Sequence, residues 1–145
     1  MNKFMALGLA SALLLLSGLE SINAAPVPLD VTDGGKKMSG DPATGKQIFN
    51  RCMVCHSIDA GVNHIGPSLH GVVNRPAGTV ANFSYSGANK KSGIVWSQAT
   101  FLEYIKDPRA KISGTKMIFP GIKNEKEAGD LWAYLKQFDA EGKKK

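Results

Sequence analysis

The chain has only two cysteines, and they stand together as Cys52-Met53-Val54-Cys55, followed at once by His56. This is the feature that most limits what the chain can fold into. A disulfide scaffold carries more cysteines. A structural zinc site needs four ligands, and His64 and His70 do not form a pair at zinc-binding spacing. A thioredoxin-like redox pair belongs in a βαβ context, and no such pattern surrounds it. The C-x-x-C-H order is the attachment signal of a c-type haem. Two thiols on one helical turn reach two vinyl groups on one edge of the macrocycle, and the next residue presents an imidazole to the iron.

The iron then needs a ligand on its other face if the protein only transfers electrons, whereas an open position favours binding a small molecule. Of the five methionines, Met1 and Met5 lie in the leader. Met53 is trapped in the attachment turn, and Met38 falls in an arm with no periodicity. Met117 remains, in Gly114-Thr115-Lys116-Met117-Ile118-Phe119. Taken alone, a methionine is as readily core filler as ligand.

Residues 1–25 read as a cleaved signal peptide: Lys3, an apolar run from Phe4 to Leu19, and a small-residue close at Ala24 and Ala25. That run is shorter than the ~20 residues a membrane span needs. A retained membrane anchor is the alternative reading. Residues 26–40, with Pro26, Pro28, Gly34 and Gly35, read as a loose arm. Residues 41–140 read as the domain, and 141–145 as a basic tail. A leader places the protein in the periplasm, where c-type haem is attached. The net charge of +6 then points to an acidic protein partner rather than to nucleic acid.

Within the domain, Asp41 and Pro42 open a helix that runs into the cysteine motif. A short helix is expected around residues 87–91. Ser97 caps another, which Pro108 stops. Asn124 caps the last, with Glu127 three residues on and an apolar face of Ala128, Leu131, Trp132, Leu135 and Phe138. Gly129 inside that helix costs roughly 1 kcal/mol against Ala. No alternating strand is visible. The architecture is all-α, with long loops that a small domain does not ordinarily tolerate unless something central organises them.

These residues resemble the class I c-type cytochromes, specifically the group of mitochondrial cytochrome c and bacterial cytochrome c2. The likeness covers about residues 45–138. It runs through Gly45-Lys46-Gln47-Ile48-Phe49, the haem motif, Gly66-Pro67-Ser68-Leu69-His70-Gly71, Phe83-Ser84-Tyr85-Ser86-Gly87-Ala88-Asn89, Trp96, Tyr104-Ile105-Lys106-Asp107-Pro108, the Met117 segment and Asp130-Leu131-Trp132-Ala133-Tyr134-Leu135. The resemblance implies a single-electron carrier wrapped around one covalently bound haem c, monomeric and without enzymatic activity, with His56 and Met117 as axial ligands. It implies that the Pro67 carbonyl accepts the His56 proton. Arg75, Tyr85 and Trp96 would surround the haem propionates. Asn89, Tyr104 and Thr115 would form the polar network near the iron. Gly45 and Phe49 would pack on Leu131 and Tyr134, and His64 and His70 would not be ligands. Partners would be the acidic docking faces of membrane redox complexes: a cytochrome bc-type complex, an oxidase or a reaction centre.

Two departures stand out. Ser113 occupies a position where the family often has proline. The loop from Ser57 to Ile65 is one residue shorter than in the animal mitochondrial form and carries no lysine, leaving Arg51, Arg109, Lys116 and Lys123 to supply the basic ring.

Overall fold

The computed structural model of the protein describes residues 25–33 and 36–138. The leader up to Ala24 and the basic tail lie outside the described residues. Among the described residues the chain order is β1 (Val27–Asp33), β2 (Lys36–Gly40), α1 (Pro42–Met53), α2 (Gly87–Lys90), α3 (Gln98–Lys106), α4 (Pro108–Lys111) and α5 (Glu125–Leu135). No helix among them is long and apolar enough to cross a membrane.

Each long helix starts where a side chain replaces a missing backbone partner. The Asp41 carboxylate accepts from Ala43 N at the head of α1, Ser97 Oγ from Thr100 N at α3, and Asn124 Oδ1 from Glu127 N at α5. Pro108 ends α3 as expected, but it also opens α4, with Asp107 capping Ala110 N. Proline suits the first turn of a helix for the reason it cannot continue one: it has no N–H to offer.

The frame is the crossing of α1 and α5. At Gly45 a Cβ would overlap the Asp130 carbonyl, so glycine alone lets the two backbones meet. Phe49 and Tyr134 pack with ring centroids 5.3 Å apart. On the other side of α5, Trp132 stacks on Phe101 of α3 at 4.9 Å. Asp130, fully buried on α5, accepts the Asp41 N–H at 2.8 Å and so ties the start of α1 to the last helix.

The expected loose arm is instead ordered structure. Residues 27–33 and 36–40 pair as an antiparallel hairpin, with an irregularity between Pro28 and Thr32. The hairpin lies on α5 and α3. Leu29 is buried in the main core, and Gly40 stands so close to Gly129 that a Cβ there would come within 2.6 Å of the Gly129 carbonyl. That approach requires glycine at position 40, where the hairpin meets the α5 backbone. The fold is thus the expected helical one, with a small hairpin added at its start.

The long loop between α1 and α2 also has its own internal order. Gly66 N donates to Cys55 O, Leu69 N to Ser57 O, and Ser68 Oγ to Asp59 O at 2.7 Å. Trp96 N donates to Arg75 O and Asn74 N to Trp96 O, fastening the loop's later half to the segment before α3. These bonds pair part of the loop's polar backbone within the protein.

Candidate functional site

The helices and loops enclose a cavity of about 670 Å³, within the range of pockets that bury a whole organic ligand. Its walls are largely apolar and include Leu69, Val72, Phe101, Ile105, Phe119 and Leu131. Every candidate from the sequence lines it: Cys52, Cys55, His56, Pro67, Arg75, Tyr85, Asn89, Trp96, Tyr104, Thr115 and Met117. His64 and His70 do not. His64 is exposed. His70 is buried elsewhere, its Nδ1–H donating to Ile58 O at 2.9 Å.

Cys52 and Cys55 come from the end of α1 and the turn after it, and neither is in a disulfide. Burial pushes the Cys52 thiol up to about 11. A dithiol redox centre needs an accessible thiolate with a lowered pKa, so this environment disfavours thioredoxin-like exchange.

His56 follows, its Nδ1–H donating to Pro67 O at 2.7 Å. A carbonyl can only accept, so this bond fixes the tautomer and leaves Nε2 as the free lone pair. Burial, opposed by the bond to Pro67, lowers the imidazole's pKa and favours the neutral form. Gly66 completes the cradle, since a Cβ there would overlap the ring. The sequence alone gives Gly66 no role. Its place before Pro67 was visible, but its contact with His56 comes from the loop folding back on the motif.

Met117 enters from the loop between α4 and α5. Its Sδ accepts the Tyr104 hydroxyl at 3.0 Å, and its N–H donates to Thr115 Oγ1 at 3.2 Å. Tyr104 is held edge-on by Trp96, with centroids 4.8 Å apart. Burial, partly opposed by a bond to Thr115, pushes its phenol up to about 12, so it remains a donor at neutral pH.

Arg75 donates to His70 O and Ser68 O and lies beside the cavity. Burial lowers its pKa, yet a guanidinium stays charged, and its remaining N–H groups suit an anionic group. Tyr85, its phenol raised chiefly by burial, shares this region. Asn89 Oδ1 is buried without a partner among the described residues, an orphan that a buried polar atom rarely remains.

A flat apolar body with anionic substituents, two sites for thioether formation and a metal seeking nitrogen and sulfur would suit Arg75, the two thiols, His56 and Met117 together. The receptacle is therefore that of a c-type haem protein. The cytochrome c family model matches residues 42–139. Cytochrome c2 of Blastochloris viridis is 56% identical over 106 residues, covering 72% of this chain and 84% of that protein. Cytochrome c-550 of Bradyrhizobium diazoefficiens is 57% identical over 102 residues, 70% of this chain and 75% of that one. The solved structure of cytochrome cH from Methylobacterium extorquens superposes with a TM-score of 0.64 at 44% identity, covering 67% of this chain and 98% of that chain.

The chain belongs to the cytochrome c family, as a class I c-type cytochrome of the c2 group. It is an electron-transfer protein that carries haem c covalently on Cys52 and Cys55.

Proposed function

We propose that the protein is a soluble periplasmic shuttle, with His56 and Met117 as axial ligands, that takes electrons from a cytochrome bc-type complex and delivers them to an oxidase, a reaction centre or another terminal acceptor. The observation that carries this reading is the pairing of His56, its Nδ1 committed to Pro67, with Met117, its sulfur fixed by Tyr104, on one apolar cavity. The leader-like sequence of residues 1–25 supports the periplasmic location, because c-type haem is attached outside the cytoplasm.

Haem c, when bound, supplies a one-electron iron couple. The chain's own residues set the conditions for it. Thioether ligation and an apolar surround favour the reduced state. Arg75, Tyr85 and Trp96 would hold the propionates, compensating the cost of burying carboxylates. His56 and Met117 are each fixed by a neighbour, so little rearrangement would accompany a change of oxidation state. His56 and Met117 would both hold the iron, which would leave no position for a substrate.

The optical spectrum tests the ligation. A c-type pyridine haemochrome, with a weak red sulfur-to-iron band in the native oxidised protein, is the expected result. Loss of that band in Met117→Ala, with the haemochrome unchanged, would identify the sulfur. A parent protein without the band overturns the His56–Met117 assignment. Mass spectrometry of the mature N-terminus tests leader removal.

A further inference from the structure

We propose that Asn63 tunes the iron from outside the cavity: its side-chain amide polarises the Pro67–Ser68 peptide and, through that one peptide, the hydrogen bond on His56. The proposal rests on the reading of His56 as an axial ligand, and it names a further positioning residue for electron transfer.

The Pro67–Ser68 peptide is engaged at both ends. Its carbonyl accepts the His56 Nδ1–H at 2.7 Å. Its N–H, on Ser68, donates to Asn63 Oδ1 at 2.9 Å. The two ends share one delocalised amide. An acceptor on the N–H pushes electron density toward the carbonyl oxygen, which then accepts more strongly. Asn63 is polarised in the same sense, since its Nδ2–H donates to Ala81 O at 2.9 Å. Three amides therefore run head to tail, from the Ala81 carbonyl through the Asn63 side chain and the Pro67–Ser68 peptide to the imidazole. The partners fix which way Asn63 points. An N–H can only donate and a carbonyl can only accept, so Oδ1 faces Ser68 and Nδ2 faces Ala81.

A stronger bond at Nδ1–H makes the imidazole more basic toward a metal on Nε2. A more basic nitrogen favours the oxidised iron, against the pull of the Met117 thioether toward the reduced state. Asn63 thus holds the potential below the value that the thioether and the apolar walls would set alone.

Other bonds keep the peptide in place. Gly66 N donates to Cys55 O at 2.8 Å and Leu69 N to Ser57 O at 2.9 Å, one on each side of it. Ser68 Oγ donates to Asp59 O at 2.7 Å. Loss of the Asn63 amide therefore removes polarisation and leaves the carbonyl where it is. Ser68 is only 1% exposed, so its N–H meets Asn63 away from bulk water. Asn63 does not line the main cavity, and its substitution leaves the cavity walls intact.

The test uses the haem-loaded protein. Asn63→Leu keeps the shape of the side chain, removes both polar groups and leaves no gap for water. Against a reference redox dye, its one-electron equilibrium should shift about 1.5–2-fold toward the reduced state, a rise of about 10–18 mV at 59 mV per tenfold change. In the proton NMR spectrum of the reduced protein the His56 Nδ1–H should move upfield, while the carbon-bound protons of His56 and the Met117 methyl keep their positions. Asn63→Asp keeps the acceptor for Ser68 and loses the donor to Ala81. Val62→Asp puts the same charge on the exposed neighbouring residue and serves as its control. Asn63→Asp should have the lower potential of the two, with its Nδ1–H downfield of the parent's.

Asn63→Leu with the parent's potential and an unmoved Nδ1–H overturns the proposal. Asn63→Asp at or above the potential of Val62→Asp also overturns it and leaves Asn63 as a tie between two loops. Failure of the ligation reading looks different, because it is seen in the parent before any substitution. A reduced parent without ring-current-shifted His56 protons removes His56 from the iron and the proposal with it.

Discussion

The Tyr104 hydroxyl donates to Met117 Sδ at 3.0 Å, across the 13 residues that separate α3 from the loop after α4. The bond puts the positive end of an O–H dipole against the sulfur proposed to ligate iron. A positive field there disfavours the extra charge of the oxidised state. Tyr104→Phe should therefore lower the midpoint potential. A hydrogen bond is worth about 0.5–1.5 kcal/mol, which corresponds to a drop of about 20–60 mV at 59 mV per tenfold change. Spectroelectrochemical titration of parent and variant would read this. A rise in potential would contradict the arrangement.

The same phenol gives an alkaline dependence of stability. Its pKa is pushed up to about 12 by burial, against about 10 in an unfolded chain. Below pH 10 both states keep the proton. Between the two values the folded state binds more protons than the unfolded one, so stability falls as pH rises. The stabilising contribution is intact below the unfolded pKa and lost through the folded one, worth about 2–3 kcal/mol in all. Urea titrations at pH 9 to 11.5 should show Tyr104→Phe losing less stability than the parent over this window. Parallel curves would place the phenol in water.

At Gly45 two effects of opposite sign compete. Alanine is a better helix former by about 1 kcal/mol. Its Cβ would overlap the Asp130 carbonyl and approach Tyr134 Cβ at 2.8 Å, and overpacking costs about 1–3 kcal/mol or more. The obstacle is backbone in a buried helix, which cannot yield as a flexible side chain does, so sterics should win. Gly45→Ala is expected to destabilise by about 1–3 kcal/mol in chemical denaturation. A stabilised variant would mean that α1 and α5 are further apart.

The parts of this architecture that sequence conveys are those set by local chemistry. Asp41, Ser97 and Asn124 mark helix starts because a cap needs only its own next few residues. The spacing of Cys52, Cys55 and His56 carries the haem chemistry in five residues. The role of Gly66 under His56 depends on contact between loop residues that no periodicity announces. The hairpin was illegible for a related reason. Its strands contain Pro28 and irregular pairing, so they lack alternation, and their partner surface lies on α3 and α5, far along the chain. Pro108 shows the limit of a local rule: it stops one helix and starts another.

Leu29 decides whether the hairpin is part of the domain or an arm beside it. It is 4% exposed and belongs to the same core as Ile48, Phe101 and Leu131. Truncating a buried leucine costs about 2–5 kcal/mol, more where the surroundings cannot collapse into the space. A residue in an undocked arm costs almost nothing. The hairpin lies at an edge of the core, where partial closure is available, so the lower half of that range applies. Leu29→Ala should lose about 2–3 kcal/mol in urea denaturation of the haem-loaded protein, while the exposed Pro28 should tolerate alanine within about 0.5 kcal/mol. The optical spectrum should stay the same in both, since neither residue lines the cavity. If Leu29→Ala unfolds at the parent's urea midpoint, the hairpin is not holding α3 and α5, and the domain's stability begins at Asp41.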